Sequence, residues 1–126
     1  MAITASAVSL NVPDPAASAA FAREHLGFTE EMSADGFVSL SRADAGFNLV
    51  FLRTGLDTLT PDSLRDQNAD GILIVFVVDD VDGECARFQQ EGVAIATPLQ
   101  TEPWGERFFQ VRDPNGVVVQ FVQWMR

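Results

Sequence analysis

Histidine, cysteine and tyrosine are almost missing from this chain of 126 residues, which has one His, one Cys and no Tyr. A single cysteine excludes a disulfide within the chain and is typical of proteins from reducing compartments. A Ser-His-Asp triad needs a positioned histidine, but His25 lies on a predicted helix beside Glu24. Zinc and similar metals need several donors that converge on one point. The composition therefore disfavours both covalent catalysis and a histidine- or cysteine-based metal site.

Basic residues are also scarce, with 8 Lys and Arg against 18 Asp and Glu and a net charge of −10. Because nucleic-acid phosphates require clustered Lys and Arg, we predict no nucleic-acid partner. Anionic membrane surfaces are disfavoured for the same reason. A cationic or neutral ligand is compatible with the charge, although acidic surface charge also serves solubility alone.

Long apolar runs are absent, and none approaches the roughly 20 residues of a membrane span. The first residues carry no basic segment of the kind that opens a secretory signal peptide. Hydrophobic residues nevertheless make up 47% of the chain, which is enough to build a core. We therefore expect a cytoplasmic protein of one domain, without membrane attachment.

The clearest local signal is the Asp-Pro-Asn-Gly sequence of residues 113–116, which separates two strand-like segments. Proline presets φ and glycine tolerates positive φ, so the chain can reverse here. Residues 107–111 and 117–124 are rich in β-branched and aromatic side chains, which favour strands. The alternation of the second strand places four side chains on one face. These are Val118, Gln120, Val122 and Trp124.

The two halves of the chain share one order of predicted elements, offset by about 66 residues. In each half a strand is followed by an aspartate that can cap a helix, a helix that ends at glycine, a short strand and a hairpin. The prediction is an α+β fold of two βαβββ modules within one domain. The modules cover residues 1–53 and 72–126, and residues 54–71 join them as a linker or as a lid, with a short helix predicted at 61–67.

One helix covers only one face of a sheet, so the other face of each sheet needs another cover. Either the two sheets face each other across a cavity or a partner chain supplies the cover. In the predicted first hairpin, Phe37, Ser39, Phe47, Leu49 and Phe51 share one face, and a type I turn with a glycine bulge at Gly46 closes the loop.

Three segments resemble the vicinal oxygen chelate superfamily, which contains glyoxalase I, extradiol dioxygenases and bleomycin-resistance proteins. They are LNVPDPAASAAFAREHLGF, FVVDDVDGECARF and PWG with DPNGVVVQFV, and their order covers nearly the whole chain. The resemblance implies paired βαβββ modules with sheets curled into cups. It is strongest to the metal-free, drug-binding resistance proteins, and it implies a homodimer with an exchanged strand or module.

Metal-dependent members of this superfamily place His, Gln or Glu ligands on the cup faces of particular strands. By the resemblance, these positions fall on Ala7, Leu73, Gln120 and a residue near Leu49 or Val50. None of them is His, Asp or Glu. We therefore expect neither a metal nor another cofactor, and no catalytic residue.

What remains is an apolar and aromatic lining, on which planar rings can stack. By the resemblance, Phe37 and Trp104 correspond to residues in the drug groove of the resistance proteins. Gln120, Ser39, Asn48 and Arg107 are candidate hydrogen-bonding groups, and Phe108 is favoured over Phe109 as a lining residue. The predicted ligand-binding residues are Phe37, Ser39, Phe47, Leu49, Phe51, Trp104, Arg107, Phe108 and Gln120.

Three functions follow as hypotheses. The leading one is a metal-independent binding protein that sequesters an aromatic, largely apolar antibiotic of bleomycin, mitomycin or enediyne type and thereby confers resistance. The alternative is a metal-dependent glyoxalase-like lyase or ring-cleaving dioxygenase. The third is an interaction module whose cleft receives a side chain or peptide. The absence of tyrosine departs from many relatives, so no particular drug can be carried over to this chain.

Overall fold

The computed structural model describes residues 1–125 and divides them into two units, which begin at Met1 and Gly71. Each unit has one helix against a four-stranded mixed sheet. The first unit contains β1 (Ala7–Val12), α1 (Pro15–His25), β2 (Thr29–Ala34), β3 (Phe37–Ser41), β4 (Asn48–Arg53) and α2 (Asp62–Arg65). The second contains β5 (Leu73–Val77), α3 (Val81–Gln90), β6 (Ile95–Thr101), β7 (Glu106–Arg112) and β8 (Val118–Trp124).

The sheet orders are β1-β4-β3-β2 and β5-β8-β7-β6, so the two units have the same topology. In each, the first strand is parallel to the last, and the other pairings are antiparallel. The predicted α+β fold of two βαβββ modules is confirmed. Across residues 1–125 no helix combines the length and the apolar character that a membrane crossing requires.

The two longer helices, α1 and α3, start and stop where the sequence predicts. The side chain of Asp14 accepts a hydrogen bond from the Ala17 amide at 3.3 Å, and that of Asp80 accepts one from the Gly83 amide at 3.0 Å. These carboxylates satisfy amides that a helix leaves without partners at its first turn. Beyond the helices, Gly27 and Gly92 adopt φ values of +70° and +80°, which favour glycine.

Each helix buries the apolar face of its own sheet. In the first unit, Leu10, Leu40 and Leu49 are fully buried on the side of α1. In the second, Phe88 of α3 packs against Phe109 and Phe121, with ring centroids 5.9 and 5.0 Å away. Phe88 and Phe121 therefore pack between the helix and the sheet.

The predicted register of the first hairpin is wrong by one residue. The structure pairs Phe37 with Leu52 and Val38 with Phe51, so the side chains of β4 face opposite to the prediction. A shift of one residue moves every side chain of a strand to the other face. The connection from Arg42 to Phe47 is longer than the predicted loop, and Gly46 lacks the positive φ of a glycine bulge. Burial of Leu49 and Phe51 under α1 favours the observed register.

Residues 54–70 belong to the first unit and are bonded to the end of β1. The side-chain Nδ2 of Asn11 donates to the Leu64 carbonyl at 2.8 Å, and the backbone carbonyl of Asn11 accepts from the Ala69 amide at 2.8 Å. Thr54 and Asn68 join the two ends of the segment through a side-chain hydrogen bond of 2.6 Å. The short helix predicted at 61–67 is present as α2.

Candidate functional site

The face of each sheet that lies opposite its helix is called here the open face. On the first sheet, the register places on it alternate residues of β1, β4 and β3, which the helix does not cover. Phe37 and Ser39, both predicted to bind ligand, lie on this face and are half-buried. The other members are Ala7, Ser9, Asn11, Ser41, Asn48, Val50 and Leu52.

The open face of the second sheet is apolar at its edge and carries an amide at its centre. Leu73, Val75 and Val77 of β5 are exposed along the edge. Gln120 lies beside Val75 on the neighbouring strand and is only 7% exposed. Phe108, opposite Val122, is on this face, as the sequence predicts.

A relay of hydrogen bonds holds the Gln120 side chain in place. The Thr97 hydroxyl donates to Gln110 Oε1 at 2.7 Å, and Gln110 Nε2 donates to Gln120 Oε1 at 2.8 Å. With its oxygen engaged, Gln120 presents its Nε2 amino group as a hydrogen-bond donor. The second open face therefore offers a fixed donor within an apolar surface, which suits a ligand carbonyl or ether oxygen.

Trp104 is 67% exposed in the turn between β6 and β7. Gly105 fixes this turn: its amide donates to the Glu102 carbonyl at 2.9 Å, and its carbonyl accepts from the Met125 amide at 2.7 Å. Gly105 has a φ of +95°. The indole is thus held on an ordered turn with its ring available to solvent, as a stacking role requires.

Arg107 does not lie on the open face. Arg107 pairs with Gln123 in the ladder and shares a face of β7 with Phe109, so it points to the side of α3. There it makes two hydrogen bonds with Asp82, at 2.6 and 3.0 Å. A third bond of 3.0 Å goes to the Thr101 hydroxyl. The Arg107 guanidinium holds the pKa of Asp82 below its usual value. The prediction that Arg107 faces the ligand cup is therefore wrong, because a carboxylate on α3 engages it.

Leu49 and Phe51 also lie on the helix side, where they are buried at 0% and 3% exposure. Their predicted place on the same face as Phe37 is wrong, for the register reason given above. Phe47 precedes β4 and is half-buried at the wall of a cleft formed by the hairpin loop. The structure thus brings Phe37 and Ser39 together on one sheet, and Phe108 and Gln120 on the other.

The positions to which the resemblance assigns metal ligands lack donor side chains here, except at Gln120. Ala7 and Leu73 lie on open faces and carry only hydrocarbon, and Val50 does the same on β4. Within residues 1–125, no three His, Cys, Asp or Glu side chains come together as a metal site would require. The single oxygen of Gln120 is already an acceptor for Gln110. This donor set does not fit a divalent metal.

Gln110 and Thr97 were missed by the sequence prediction. The turn at 113–116 would have identified the first, because a hairpin closed between Asp113 and Val117 places Gln110 opposite Gln120. Thr97 had no such signal, since the pairing of β6 with β7 contains two register shifts.

A family model, that of the Glyoxalase/Bleomycin resistance protein/Dioxygenase superfamily, matches residues 4–121. No curated protein matches the chain significantly. Among solved structures, a glyoxalase/bleomycin resistance protein/dioxygenase from Nocardioides is 20% identical with a TM-score of 0.81, covering 100% of this chain and 86% of its own. Lactoylglutathione lyase from Agrobacterium tumefaciens is also 20% identical, with a TM-score of 0.74 and coverage of 97% and 92%.

TnmS3 from Streptomyces sp. CB03234, described as an antibiotic binding protein, is 26% identical. Its TM-score is 0.74, and the match covers 98% of both chains. The two 20% matches carry the fold alone, and they include an enzyme.

Proposed function

Because the chain belongs to the Glyoxalase/Bleomycin resistance protein/Dioxygenase superfamily, we propose that it is one of the metal-independent binding members and not an enzyme. In this proposal it sequesters an aromatic, largely apolar natural product antibiotic of bleomycin, mitomycin or enediyne type. Resistance then results from stoichiometric binding, since each drug molecule bound by the protein is withdrawn from its target. The antibiotic-binding description of TnmS3, at 26% identity, supports this choice of ligand class.

The observation that carries the proposal is the chemistry of the open faces. Ala7 and Leu73 have only hydrocarbon side chains at positions to which the resemblance assigns metal ligands. Gln120 accepts a hydrogen bond from Gln110. Lyase and dioxygenase chemistry in this superfamily needs a metal as Lewis acid or oxygen-binding centre. The second open face offers apolar area and Phe108 instead, and the first offers Phe37 among small polar side chains.

Aromatic stacking supplies the affinity in this account. Phe37 stands half-buried on the first open face, and Trp104 is exposed on its turn in the second unit. Each favourable aromatic pair contributes about 0.5–1.5 kcal/mol beyond the burial of apolar area. Each open face also carries a polar group that can orient a ligand: the Ser39 hydroxyl on the first and Gln120 Nε2 on the second.

A fluorescence titration tests the proposal. Adding a planar aromatic antibiotic should quench Trp emission in a saturable way, and Trp104→Ala should weaken the affinity about 5- to 100-fold, as loss of a stacking aromatic does. Ile3→Ala, at another exposed apolar side chain outside the strands, is the matched control and should leave affinity unchanged. Equal affinity in Trp104→Ala and the native protein would contradict the stacking role.

The metal-dependent alternative has its own readout. Lyase or dioxygenase function predicts near-stoichiometric Zn, Ni, Mn or Fe in the purified protein, whereas the binding proposal predicts none above background. Homodimerisation and a cytoplasmic location are further parts of the proposal. The buried Cys85, whose pKa is raised mainly by burial, suits a reducing compartment.

A further inference from the structure

A cleft of about 540 Å³ opens at one end of the first sheet, in a different place from the residues proposed to stack on a drug. It lies where the start of β2, the end of β3 and the β3–β4 loop meet the residues before β1. Its volume falls in the range of small-molecule sites. The side chains that line it include Thr29, Glu31, Ser41, Arg42, Phe47 and Asn48.

Arg42 builds the wall of this cleft and is not available to a ligand anion. Its Nη1 donates to the Leu26 carbonyl at 2.6 Å, and its Nε donates to Asp44 Oδ1 at 2.6 Å. The guanidinium lowers the pKa of the Asp44 carboxyl, so that pair remains ionised and neutral in sum. Gly27 is required beside it, since a Cβ there would lie 3.0 Å from Arg42 Nη1 at a φ of +70°.

Glu31 therefore gives the cleft its net charge. A bulge in β2 between Glu30 and Met32 sets Glu31 outside the regular ladder, and its Oε1 accepts a hydrogen bond from the Ser41 hydroxyl. Bulges commonly redirect one side chain in this way. Among the described residues no cation lies within ion-pair distance of Glu31, whereas its neighbour Glu30 pairs with Arg23 at 3.0 Å. One carboxylate oxygen of Glu31 thus remains for a cationic donor.

Neutral polar groups and one ring complete the site. The Asn48 side chain and the Thr29 hydroxyl make no hydrogen bond with residues 1–125, and both line the cleft. Phe47 adds an aromatic surface at the same place. The cleft thus combines a carboxylate, hydroxyl groups, an amide and an aromatic ring. This set is complementary to a ligand ring that has one apolar side and carries a protonated amine between hydroxyls.

We propose that this cleft binds a protonated amine on a hydroxylated ring, as in an amino sugar, with Glu31 as the counter-ion and Asn48 and Thr29 as hydrogen-bonding partners. The site lies within the first unit and does not depend on the function proposed above. An amino sugar attached to a larger molecule and a free amino sugar share this chemistry.

The test is an NMR titration of the ¹⁵N-labelled protein with methyl glucosaminide, below neutral pH where its amine is protonated, and with the neutral methyl glucoside. We expect the amide signals of Thr29, Glu31 and Asn48 to shift, with about fivefold tighter binding of the charged glycoside, the size of one exposed ion pair. Glu31→Gln keeps an acceptor for Ser41 and should remove the preference. Glu30→Gln is the control and should retain it.

Asn48→Ala should weaken both glycosides to the same extent, because it removes a hydrogen bond and no charge. The proposal is overturned if neither glycoside shifts these three amides, if the native protein binds both equally, or if Glu30→Gln loses the preference as fully as Glu31→Gln. Saturable binding of methyl glucosaminide together with no binding of any aromatic antibiotic would support this site and contradict the sequestration function.

Discussion

Gly105 is the residue on which the presentation of Trp104 depends. Its φ of +95° disfavours any side chain, and an added Cβ would lie 2.6 Å from the Met125 carbonyl oxygen. Since that oxygen belongs to the backbone, it cannot move aside without breaking the contact between the turn and the end of β8. Glycine here is therefore a condition for an ordered, exposed indole.

Gly105→Ala should lower the free energy of unfolding by about 1–3 kcal/mol, because it adds both backbone strain and a steric clash. The matched control is Gly46→Ala: Gly46 has no positive φ, and a Cβ would meet nothing within 4 Å. That change should stay within about 0.5 kcal/mol. Urea unfolding followed by circular dichroism measures both, and equal effects would contradict the account of the turn.

The Arg107–Asp82 pair makes a prediction about pH. The pKa of Asp82 is lowered in the folded state by its hydrogen bonds with Arg107, so the pair stabilises the protein above the ordinary value of 3.8. This contribution is lost as the pH falls from 3.8 through the folded-state pKa. Asp82→Asn should therefore lower the urea midpoint slightly at neutral pH, and the difference should shrink in acid.

The size of that effect is small because both side chains are partly exposed and screened by solvent. The control is Asp79→Asn. Within residues 1–125, no cation lies within ion-pair distance of the Asp79 carboxylate. A difference between native and Asp82→Asn proteins that stays constant from neutral to acid pH would refute the linkage. If Arg107 contacts no ligand, neither variant should alter drug affinity.

At the scale of elements, the β7–β8 hairpin sets the register that brings Gln110 opposite Gln120. Asp113 closes it from a nearly buried position: its Oδ1 accepts from the amides of Asn115 and Val117, both at 2.9 Å. The backbone amide of Asp113 also donates a hydrogen bond to the Val117 carbonyl at 2.9 Å. The carboxylate thus satisfies amides that would otherwise be buried without partners.

Asp113→Ala should lower the free energy of unfolding by about 1–3 kcal/mol, since it leaves the Val117 amide buried and unbonded. Asp113→Asn retains an oxygen acceptor and should lose less. Thermal or urea unfolding of the two variants provides the comparison. An equal loss in both would mean that the charge, and not the acceptor, holds the turn.

The two hairpins differ in how far their registers could be predicted, and the reason is local chemistry. The Asp-Pro-Asn-Gly turn specifies a short connection, so the faces of β8 and the place of Phe108 follow from the sequence. The loop from Arg42 to Phe47 has no such signature. An error of one residue in register therefore predicts Leu49 and Phe51 on the open face, where the structure has Val50 and Leu52. The stronger apolarity of Val38, Leu40, Leu49 and Phe51 as one set would have indicated the correct face.

For the molecule as a whole, the internal repeat made the architecture predictable, since capped helices and alternating strands recur in both halves. The engagement of Arg107 by Asp82 could not be predicted, because it depends on how α3 lies against β7. The cleft beside Glu31 depends in the same way on a bulge and on the course of a loop.

We propose that ligand binding needs no metal, since the open faces carry apolar and amide groups at the positions to which the resemblance assigns metal ligands. Calorimetric titration of a planar aromatic antibiotic, with EDTA-treated protein and with protein supplied with Zn²⁺, Ni²⁺, Mn²⁺ or Fe²⁺, tests this most directly. We predict the same dissociation constant in every sample. Binding that is lost in EDTA and restored by one of these metals would contradict the account.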